Sequence, residues 1–176
     1  MILKRFKIPG PVLYTFKKYN DKRGVFAEIF NLALIKKFNT KQINYSCSKK
    51  NVFRGFHMQK GKFAQKKYVW VGEGKIMDIV VDLRKKSKYF GKFIKVILSA
   101  NKHALLIPKG FAHGFLSLAN TNKIYYVVDN KYSKRDEITL NFLDPNLKVL
   151  FSNKDKIISS PKDKKGLRLN ELSKIL

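Results

Sequence analysis

Residues 67–128 decide the fold class: KYVWVGEGKIMDIVVDLRKKSKYFGKFIKVILSANKHALLIPKGFAHGFLSLANTNKIYYVV. Glycine, proline and asparagine separate short runs rich in β-branched and aromatic residues, a pattern typical of strands joined by turns. The predicted strands cover 68–71, 76–83, 93–98, 104–107, 115–118 and 124–128. We interpret Gly110 and Gly114 as turn signals that precede the strand at 115. Since no long amphipathic helix separates the strands, the pattern favours a β-sandwich or barrel over alternating strands and helices.

Outside this segment, helix-like apolar spacing occurs at 31–39 and 170–176, and it predicts short helices that flank the sheets. The chain contains no internal repeat and no low-complexity linker. Its 176 residues suffice for one ordinary hydrophobic core. We therefore expect one domain spanning residues 1–176.

The chain is strongly basic, with 38 Lys and Arg against 12 Asp and Glu and a formal net charge of +26. Only six of these cations are arginines, the usual base-reading residue, and the lysines are spread along the whole chain. No zinc-finger, basic-zipper or RNA-recognition motif occurs. The pattern favours a lysine-rich solvated surface without a specific nucleic-acid partner, although a nucleic-acid binder stays an alternative.

Other compositional features narrow the class of protein. A hydrophobic fraction of 44% is too high for a disordered polycation. No run approaches the roughly 18 apolar residues of a membrane helix, and the first residues do not resemble a signal peptide. Cys47 is the only cysteine, which excludes an internal disulfide and fits a reducing compartment. We expect a cytoplasmic protein without a membrane partner.

Two of the three histidines lie in informative contexts. The stretch Pro108-x-Gly110-x-x-His113 resembles the second half-motif of the cupin jelly rolls. Metal-binding cupins supply His-x-His and a glutamate in the first half-motif, whereas this chain has His57-Met58-Gln59. The resemblance implies an all-β, cupin-type double-stranded β-helix (jelly roll) with a few short flanking helices and no metal. The third histidine, His103, is expected to be structural.

A longer series of fragments, in register from about residue 21 to about residue 165, resembles the dTDP-4-dehydrorhamnose 3,5-epimerase family. The fragments are Asp21-x-Arg23-Gly24-x-Phe26-x-Glu28, Gln42-x-Asn44-x-Ser46-x-Ser48, Arg54-Gly55-x-His57-x-Gln59, Ala64-Gln65-x-Lys67, Asp78-x-x-Val81-Asp82-Leu83-Arg84, Ser87-x-x-Phe90-Gly91, Leu98-Ser99, Ile107-Pro108-x-Gly110-Phe111-Ala112-His113-Gly114-Phe115, Tyr126, Tyr132, Asp144-Pro145 and Ser160-x-Lys162-Asp163.

The resemblance implies inversion of C3 and C5 in a 4-keto-6-deoxyhexose attached to a nucleoside diphosphate, without a metal or redox cofactor. Both carbons neighbour the C4 ketone, so loss of either proton gives an enolate. Such a site needs a base, a carboxylate that orients it, a cation near the oxyanion and an opposing proton donor.

The resemblance assigns each of these roles to one residue. His57 resembles the proton-abstracting base, and imidazole suits that task because it titrates near neutral pH. Asp163 resembles its carboxylate partner, and Lys67 resembles the lysine that stabilises negative charge on the C4 oxygen. Tyr126 resembles the donor that returns a proton from the opposite face.

Further residues match the family's substrate-binding positions. Arg23 and Arg54 resemble the arginines that grip the diphosphate, since guanidinium pairs with phosphate oxygens in a fork. The other matching positions are Phe26, Glu28, Gln42, Asn44, His113, Lys131, Tyr132, Glu137 and Lys162. Many family members carry two adjacent tyrosines where this chain has Lys131-Tyr132, and the first of them stacks on thymine. Lys131 supplies no such ring, so the nucleotide stays open.

Each of these residues also has a structural interpretation. The two arginines and Asp163 could form ordinary salt bridges, Tyr126 could pack in a core, and Lys67 could be one solvated lysine among many. The whole pattern favours an epimerase that converts dTDP-4-dehydro-6-deoxy-D-glucose to dTDP-4-dehydro-L-rhamnose for polysaccharide synthesis, as a homodimer. The alternatives are a single-centre 3- or 5-epimerase, an enzyme for another nucleotide-linked sugar, and a non-catalytic sugar-nucleotide-binding cupin.

Overall fold

The computed structural model describes residues 2–33, 35, 38–149, 151 and 154–176. The described residues form thirteen strands: β1 (Ile2–Arg5), β2 (Val12–Thr15), β3 (Lys18–Asp21), β4 (Gly24–Ala27), β5 (Gln42–Lys49), β6 (Phe53–Gln59), β7 (Lys67–Glu73), β8 (Lys75–Asp82), β9 (Phe93–Ser99), β10 (His103–Ile107), β11 (Phe111–Ser117), β12 (Thr121–Val128) and β13 (Glu137–Thr139). The helices are α1 (Pro161–Lys164) and α2 (Leu169–Ile175), and 3-10 turns occupy Gly61–Phe63, Lys134–Asp136, Pro145–Leu147 and Lys154–Lys156.

Two antiparallel sheets carry the architecture. One has the order β1-β2-β10-β7-β12-β5, the other has the order β13-β6-β11-β8-β9, and β3 pairs with β4 in a separate hairpin. Alternate residues of each strand point to opposite faces. Val69 and Leu105 of the first sheet therefore meet Val80 and Phe115 of the second in a shared core. The expected all-β class is confirmed.

The outer faces of both sheets are covered as well. Beyond the five-stranded sheet, Leu140, Phe142 and Leu172 close a second core, and Leu172 belongs to α2. The helix predicted at 170–176 is thus confirmed. Ile35 and Phe38 help to close a third core beyond the six-stranded sheet.

The helix predicted at 31–39 is only partly described. Residues 34, 36 and 37 lie outside the described residues. In the rest of this stretch the backbone forms a turn at Leu32 and Ala33, with no helix, and Ile35 and Phe38 are buried. The buried apolar residues of this stretch that are described, Ile35 and Phe38, therefore pack against the sheet without forming a helix.

Gly114 corrects the sequence prediction for β11. We expected a turn there, but the strand begins at Phe111 and runs through Gly114. A Cβ on Gly114 would lie 2.9 Å from the carbonyl oxygen of Arg54, and one on Gly55 would lie 2.5 Å from the Cα of Gly114. The two glycines thus let β6 and β11 approach closely where their register shifts. Just before that shift, His57 and His113 are direct cross-strand partners.

No helix among the described residues is both long enough and apolar enough to cross a membrane.

Candidate active site

Two adjoining cavities open between the sheets, with volumes of about 650 Å³ and about 250 Å³. Both are lined by His57, Lys67 and Tyr126, so these three side chains stand at the junction. The larger cavity also contains Arg54, His113, Lys162 and Asp163. The smaller also contains Gln42, Asn44, Gln59, Gln65, Tyr132 and Glu137.

His57 is held by a carboxylate that lies 106 residues further along the chain. Its Nε2 atom lies 2.7 Å from Oδ1 of Asp163. Ser160 is the N-cap residue of α1. Its hydroxyl accepts a hydrogen bond from the Asp163 backbone N–H, which fixes the position of the aspartate. Burial raises the pKa of Asp163, but the hydrogen bond and charge of His57, together with N–H and O–H donors from Gly55 and Ser160, outweigh it and leave the pKa lowered. The carboxylate therefore stays ionised and orients the imidazole.

A second His–Asp pair lies one strand away. Nε2 of His113 on β11 is 2.8 Å from Oδ2 of Asp78 on the neighbouring β8. This pair is deeper than the first, because the Asp78 side chain is fully buried and that of His113 is 8% exposed. The other carboxylate oxygen of Asp78 has no hydrogen-bond partner among the described residues.

Lys67 starts β7 and points into the junction of the cavities. Its Nζ donates a hydrogen bond to the backbone carbonyl of His57 at 3.2 Å. Burial lowers the pKa of Lys67 from 10.5 to about 8, against the opposing effect of the carboxylates of Glu137 and Asp78. The ammonium group is thus charged at neutral pH and has lost much of its hydration, so it acts strongly on a nearby negative charge.

Tyr126 comes from the same six-stranded sheet as Lys67, opposite the sheet that carries His57. On β12 it pairs with Asn44 and Val69, while Tyr125 lies on the other face and stacks on Trp70 with ring centroids 5.5 Å apart. Burial raises the pKa of Tyr126, and the charge of Arg54 only partly opposes this. The phenol therefore keeps its proton and can serve as a donor.

Arg54 and Arg23, expected to act together, have different surroundings. Nε of Arg54 donates to the hydroxyl of Ser48 at 3.0 Å, and within the described residues Arg54 forms no ion pair with a carboxylate. Arg23 is 85% exposed and pairs with Asp21 at 2.6 Å inside the hairpin of β3 and β4. The structural salt bridge is thus observed for Arg23, whereas the Arg54 guanidinium faces the larger cavity.

Three expected binding residues lie on or beside the β3–β4 hairpin, and they line neither cavity. These are Arg23, Phe26 and Glu28, and the Phe26 side chain is 70% exposed. Lys131 also lines neither cavity, and its backbone carbonyl accepts a hydrogen bond from Gln59. The structure therefore does not bring these four residues into the site of the single chain.

In the smaller cavity, Glu137 joins two other expected residues. It accepts hydrogen bonds from the hydroxyl of Tyr132 at 2.9 Å and from Nζ of Lys162 at 2.5 Å. Burial raises the pKa of Glu137, but the bonds from Lys162 and Tyr132 outweigh it and keep the carboxylate ionised. The network links the two cavities, because Lys162 lines the larger one.

The family resemblance assigned no role to Asp78 or to the serines of β5. The amino-acid sequence nevertheless contains an unusual feature at each of these positions. Asp78 is an acid inside a β-branched run, and Gln42, Asn44, Ser46 and Ser48 are alternate polar residues of one strand, which share a face. An alternating polar face is also compatible with solvent, and the fold is what places Gln42 and Asn44 in the smaller cavity and Ser46 in the larger one.

A resident metal has no evident set of ligands in the part of the chain that is described. No group of three or more histidine, cysteine, aspartate or glutamate side chains lies close enough together there to hold an ion. His57 and His113 each contact a carboxylate rather than each other.

Comparison with known proteins places this geometry among sugar epimerases. The family model described as dTDP-4-dehydrorhamnose 3,5-epimerase matches residues 5–171. The Escherichia coli K12 protein of that name is 36% identical over 177 residues, covering 97% of this chain and 96% of the relative.

Solved structures agree with the sequence match. A dTDP-6-deoxy-D-glucose-3,5-epimerase from Legionella pneumophila, in complex with dTDP-4-keto-L-rhamnose, superposes with a TM-score of 0.90 at 35% identity, covering 97% of this chain and 96% of the other. A 3′-monoepimerase from Streptomyces bikiniensis, in complex with dTDP-quinovose, reaches 0.91 at 25% identity, covering 97% of this chain and 89% of the other.

The two-sheet fold and these similarities define a cupin-type isomerase that epimerises sugars; the half-motif implied the cupin fold, and the longer series of fragments implied the epimerase. The chain belongs to the dTDP-4-dehydrorhamnose 3,5-epimerase family.

Proposed function

We propose that this enzyme converts dTDP-4-dehydro-6-deoxy-D-glucose to dTDP-4-dehydro-L-rhamnose by inverting C3 and C5 of the hexose. The observation that carries the proposal is the convergence of a His–Asp pair, a lysine ammonium and a tyrosine phenol on one cavity junction. The complex of the Legionella relative with dTDP-4-keto-L-rhamnose supports the choice of substrate class.

His57 removes the proton from C3 or C5 in this mechanism. The electron pair of the broken C–H bond forms a C=C bond to C4, and the carbonyl π electrons move to the C4 oxygen. The proton on His57 creates an imidazolium, which the ionised carboxylate of Asp163 stabilises at 2.7 Å. Acid–base positioning of this kind accelerates a reaction by about 10² to 10⁴.

Lys67 and Tyr126 complete the reaction. The ammonium of Lys67 stabilises the negative C4 oxygen, an electrostatic effect that is strong where water is excluded. His57 lies on β6 of one sheet and Tyr126 on β12 of the other, so they stand on opposite walls of the site. A hexose between the walls would lose its proton to His57 on one face and receive one from Tyr126 on the other, which inverts the carbon.

The remaining cavity residues hold the nucleoside diphosphate. Arg54 supplies its guanidinium to phosphate oxygens, because its Nε is anchored on Ser48 and no carboxylate competes for it within the described chain. Lys162 adds a second positive charge in the same cavity. The amides of Gln42 and Asn44 and the Tyr132–Glu137 pair line the smaller cavity, on the other side of the reacting centre, where they offer further polar contacts to the substrate.

We further propose a homodimer, in which the β3–β4 hairpin engages a second copy of the chain. Its support is an apolar surface that one chain leaves open: Phe26 is 70% exposed, Val25 60% and Tyr19 53%. In such a dimer Arg23, Phe26 and Glu28 can take part in binding without lining the cavity of their own chain. Light scattering of the wild type and of Phe26→Asp tests this, since the variant should be monomeric and a monomeric wild type would refute the dimer.

The decisive experiment on the reaction is solvent exchange in heavy water. The enzyme is incubated with 4-keto-6-deoxyglucose linked to dTDP, GDP or CDP, and deuterium is located by mass spectrometry and NMR. We expect incorporation at C3 and C5 with the dTDP sugar, and none with His57→Ala as the matched control. Incorporation at one carbon would identify a single-centre epimerase, as in the Streptomyces relative.

Two other outcomes would overturn the proposal. Binding of the nucleotide sugar without exchange would identify a non-catalytic cupin. Faster exchange with a GDP or CDP sugar would show that the chain, with Lys131 where many relatives carry a tyrosine, uses another nucleotide.

A separate measurement tests the nucleic-acid alternative. DNA binding that falls steeply with salt, beside a salt-insensitive affinity for the sugar nucleotide, would show that any DNA binding is nonspecific.

A further inference from the structure

Two serine hydroxyls in the larger cavity have no part in the chemistry described above. Ser46 lies on the polar face of β5, and Ser159 follows the isolated bridge between Val52 and Ile158. Both residues line the larger cavity together with Arg54. Both hydroxyl oxygens are buried, and neither has a hydrogen-bond partner among the described residues.

Buried hydroxyls without partners are uncommon, because loss of hydration without a compensating hydrogen bond is unfavourable. The neighbouring serines show the usual situation. Ser48 accepts from Nε of Arg54, and Ser160 accepts from the backbone N–H of Asp163. Ser46 and Ser159 therefore differ from serines that support the structure, and their position in the cavity points to a ligand as the missing partner.

The chemistry of the missing partner follows from the donors around it. A serine hydroxyl donates one hydrogen bond and accepts others. Arg54 and Lys162, in the same cavity, donate only. Four donors from three segments of chain suit a ligand rich in oxygen acceptors, and a nucleotide sugar carries such oxygens on its diphosphate and on its hexose.

We propose that Ser46 and Ser159 bind the substrate, each donating a hydrogen bond from its hydroxyl to an oxygen of the nucleotide sugar. This inference rests on the proposed function, because it takes its ligand from there. The two hydroxyls add binding contacts on the side of the cavity that carries Arg54, and they take no part in proton transfer.

Equilibrium binding of two probes, dTDP and dTDP-glucose, tests the inference. The second probe carries a hexose without the reactive ketone, so it binds without turnover. Ser46→Ala and Ser159→Ala are measured beside the wild type and a matched control, Ser117→Ala. Ser117 is also fully buried with an unpartnered hydroxyl, but it lines neither cavity.

We expect each cavity variant to raise the Kd for dTDP-glucose about tenfold, the usual effect of one hydrogen bond to a charged or strongly polar group. The melting temperature should not fall, because the hydroxyls have no protein partner to leave unsatisfied. The control should bind like the wild type. A rise for both probes would assign the acceptor to the diphosphate, and a rise for dTDP-glucose alone would assign it to the hexose.

Unchanged affinities in both cavity variants would overturn the inference while leaving the proposed function intact. An equal loss in the Ser117 control would also overturn it, because the effect would then be one of packing. If the wild type bound neither probe, the proposed function itself would fail, and the inference with it.

Discussion

The two His–Asp pairs of this protein have almost the same local geometry and very different surroundings. The nitrogen–oxygen distances are 2.7 Å for His57–Asp163 and 2.8 Å for His113–Asp78, and the two histidines are cross-strand partners. The side chain of His57 is 30% exposed, however, whereas that of His113 is 8% exposed. Greater exposure and a position at the junction of both cavities, rather than the pairing itself, separate the candidate base His57 from the candidate binding group His113.

The two carboxylates also differ in the structural element that holds each of them. Asp78 lies on β8, beside the strand that carries His113, so the sheet itself supplies this partner. Asp163 lies on the four-residue helix α1 and depends on Ser160 to hold it in place. The partner of His113 thus comes from the adjacent strand, whereas the partner of His57 comes from a segment outside the two sheets.

Replacing each histidine with asparagine should give the largest difference between the two pairs. His57→Asn should lower the rate of deuterium exchange by about 10² to 10⁴, because it removes the base. His113→Asn should lower it much less and should act mainly on KM, because the family resemblance assigns His113 to substrate binding rather than to proton transfer. Equal losses of kcat in the two variants would show that access does not distinguish the pairs.

Removing the carboxylate charges gives the next largest effect. Asp163→Asn should lower kcat by about 10², the lower end of the range for acid–base positioning, since the imidazolium loses its stabilising anion and its fixed orientation. Asp78→Asn, the matched variant of the deeper pair, should retain most of kcat. Steady-state kinetics of the two variants measure the ratio, and a smaller loss for Asp163→Asn would contradict the assignment of the base.

The pH dependence of kcat/KM tests a further difference between the two carboxylates, namely their effect on the pKa of Lys67. With a pKa of about 8, Lys67 loses its charge above that pH, so activity should fall about tenfold per pH unit on the alkaline side. Asp78 helps to raise this pKa, so Asp78→Asn should move the decline to lower pH. Lys67→Arg should move the decline to higher pH, because guanidinium stays charged.

Asp163→Asn serves as the control for this pH shift. Asp163 is not among the charges that act on the pKa of Lys67, so its variant should keep the wild-type alkaline decline in the residual activity. An alkaline decline that none of these substitutions moves would show that another group controls it.

The smallest predicted effect is a change in the free energy of unfolding caused by Lys67. Because the pKa of Lys67 is lower in the folded state than in the unfolded state, the unfolded chain holds more protons between about pH 8 and 10.5, and stability rises with pH over that range. Lys67→Met removes the buried charge and should raise the free energy of unfolding at pH 7 by about 1–3 kcal/mol. Urea unfolding at pH 7 and pH 10 measures this, and the variant should lack the rise between them.

Much of the fold could be predicted because it depends on local pattern. Alternating β-branched residues predicted the strands at β7 to β10 and at β12 close to their observed bounds. Gly114 was misread because a glycine at a close strand crossing looks the same in sequence as one in a turn. The cytoplasmic location and the single domain over residues 1–176 stay predictions.

The candidate site could be predicted in its members but not in its arrangement. The resemblance supplied His57, Lys67, Tyr126 and Asp163, and the structure brings all four together. It also supplied Arg23 and three other residues that a single chain leaves outside the cavities. Asp78 belongs to one of the matching fragments but received no role, because its role depends on which strand pairs with β8, a matter of long-range contacts.

The amino-acid sequence by itself determined the all-β class and the residue types at the site, because strand periodicity and motif order are properties of neighbouring residues. Only the tertiary structure decided how closely Asp163 approaches His57 across 106 residues, that Lys67 is buried enough for its pKa to fall, and that Arg23 stays on the surface. Distance and desolvation control these interactions, and both exist only once the two sheets have packed together.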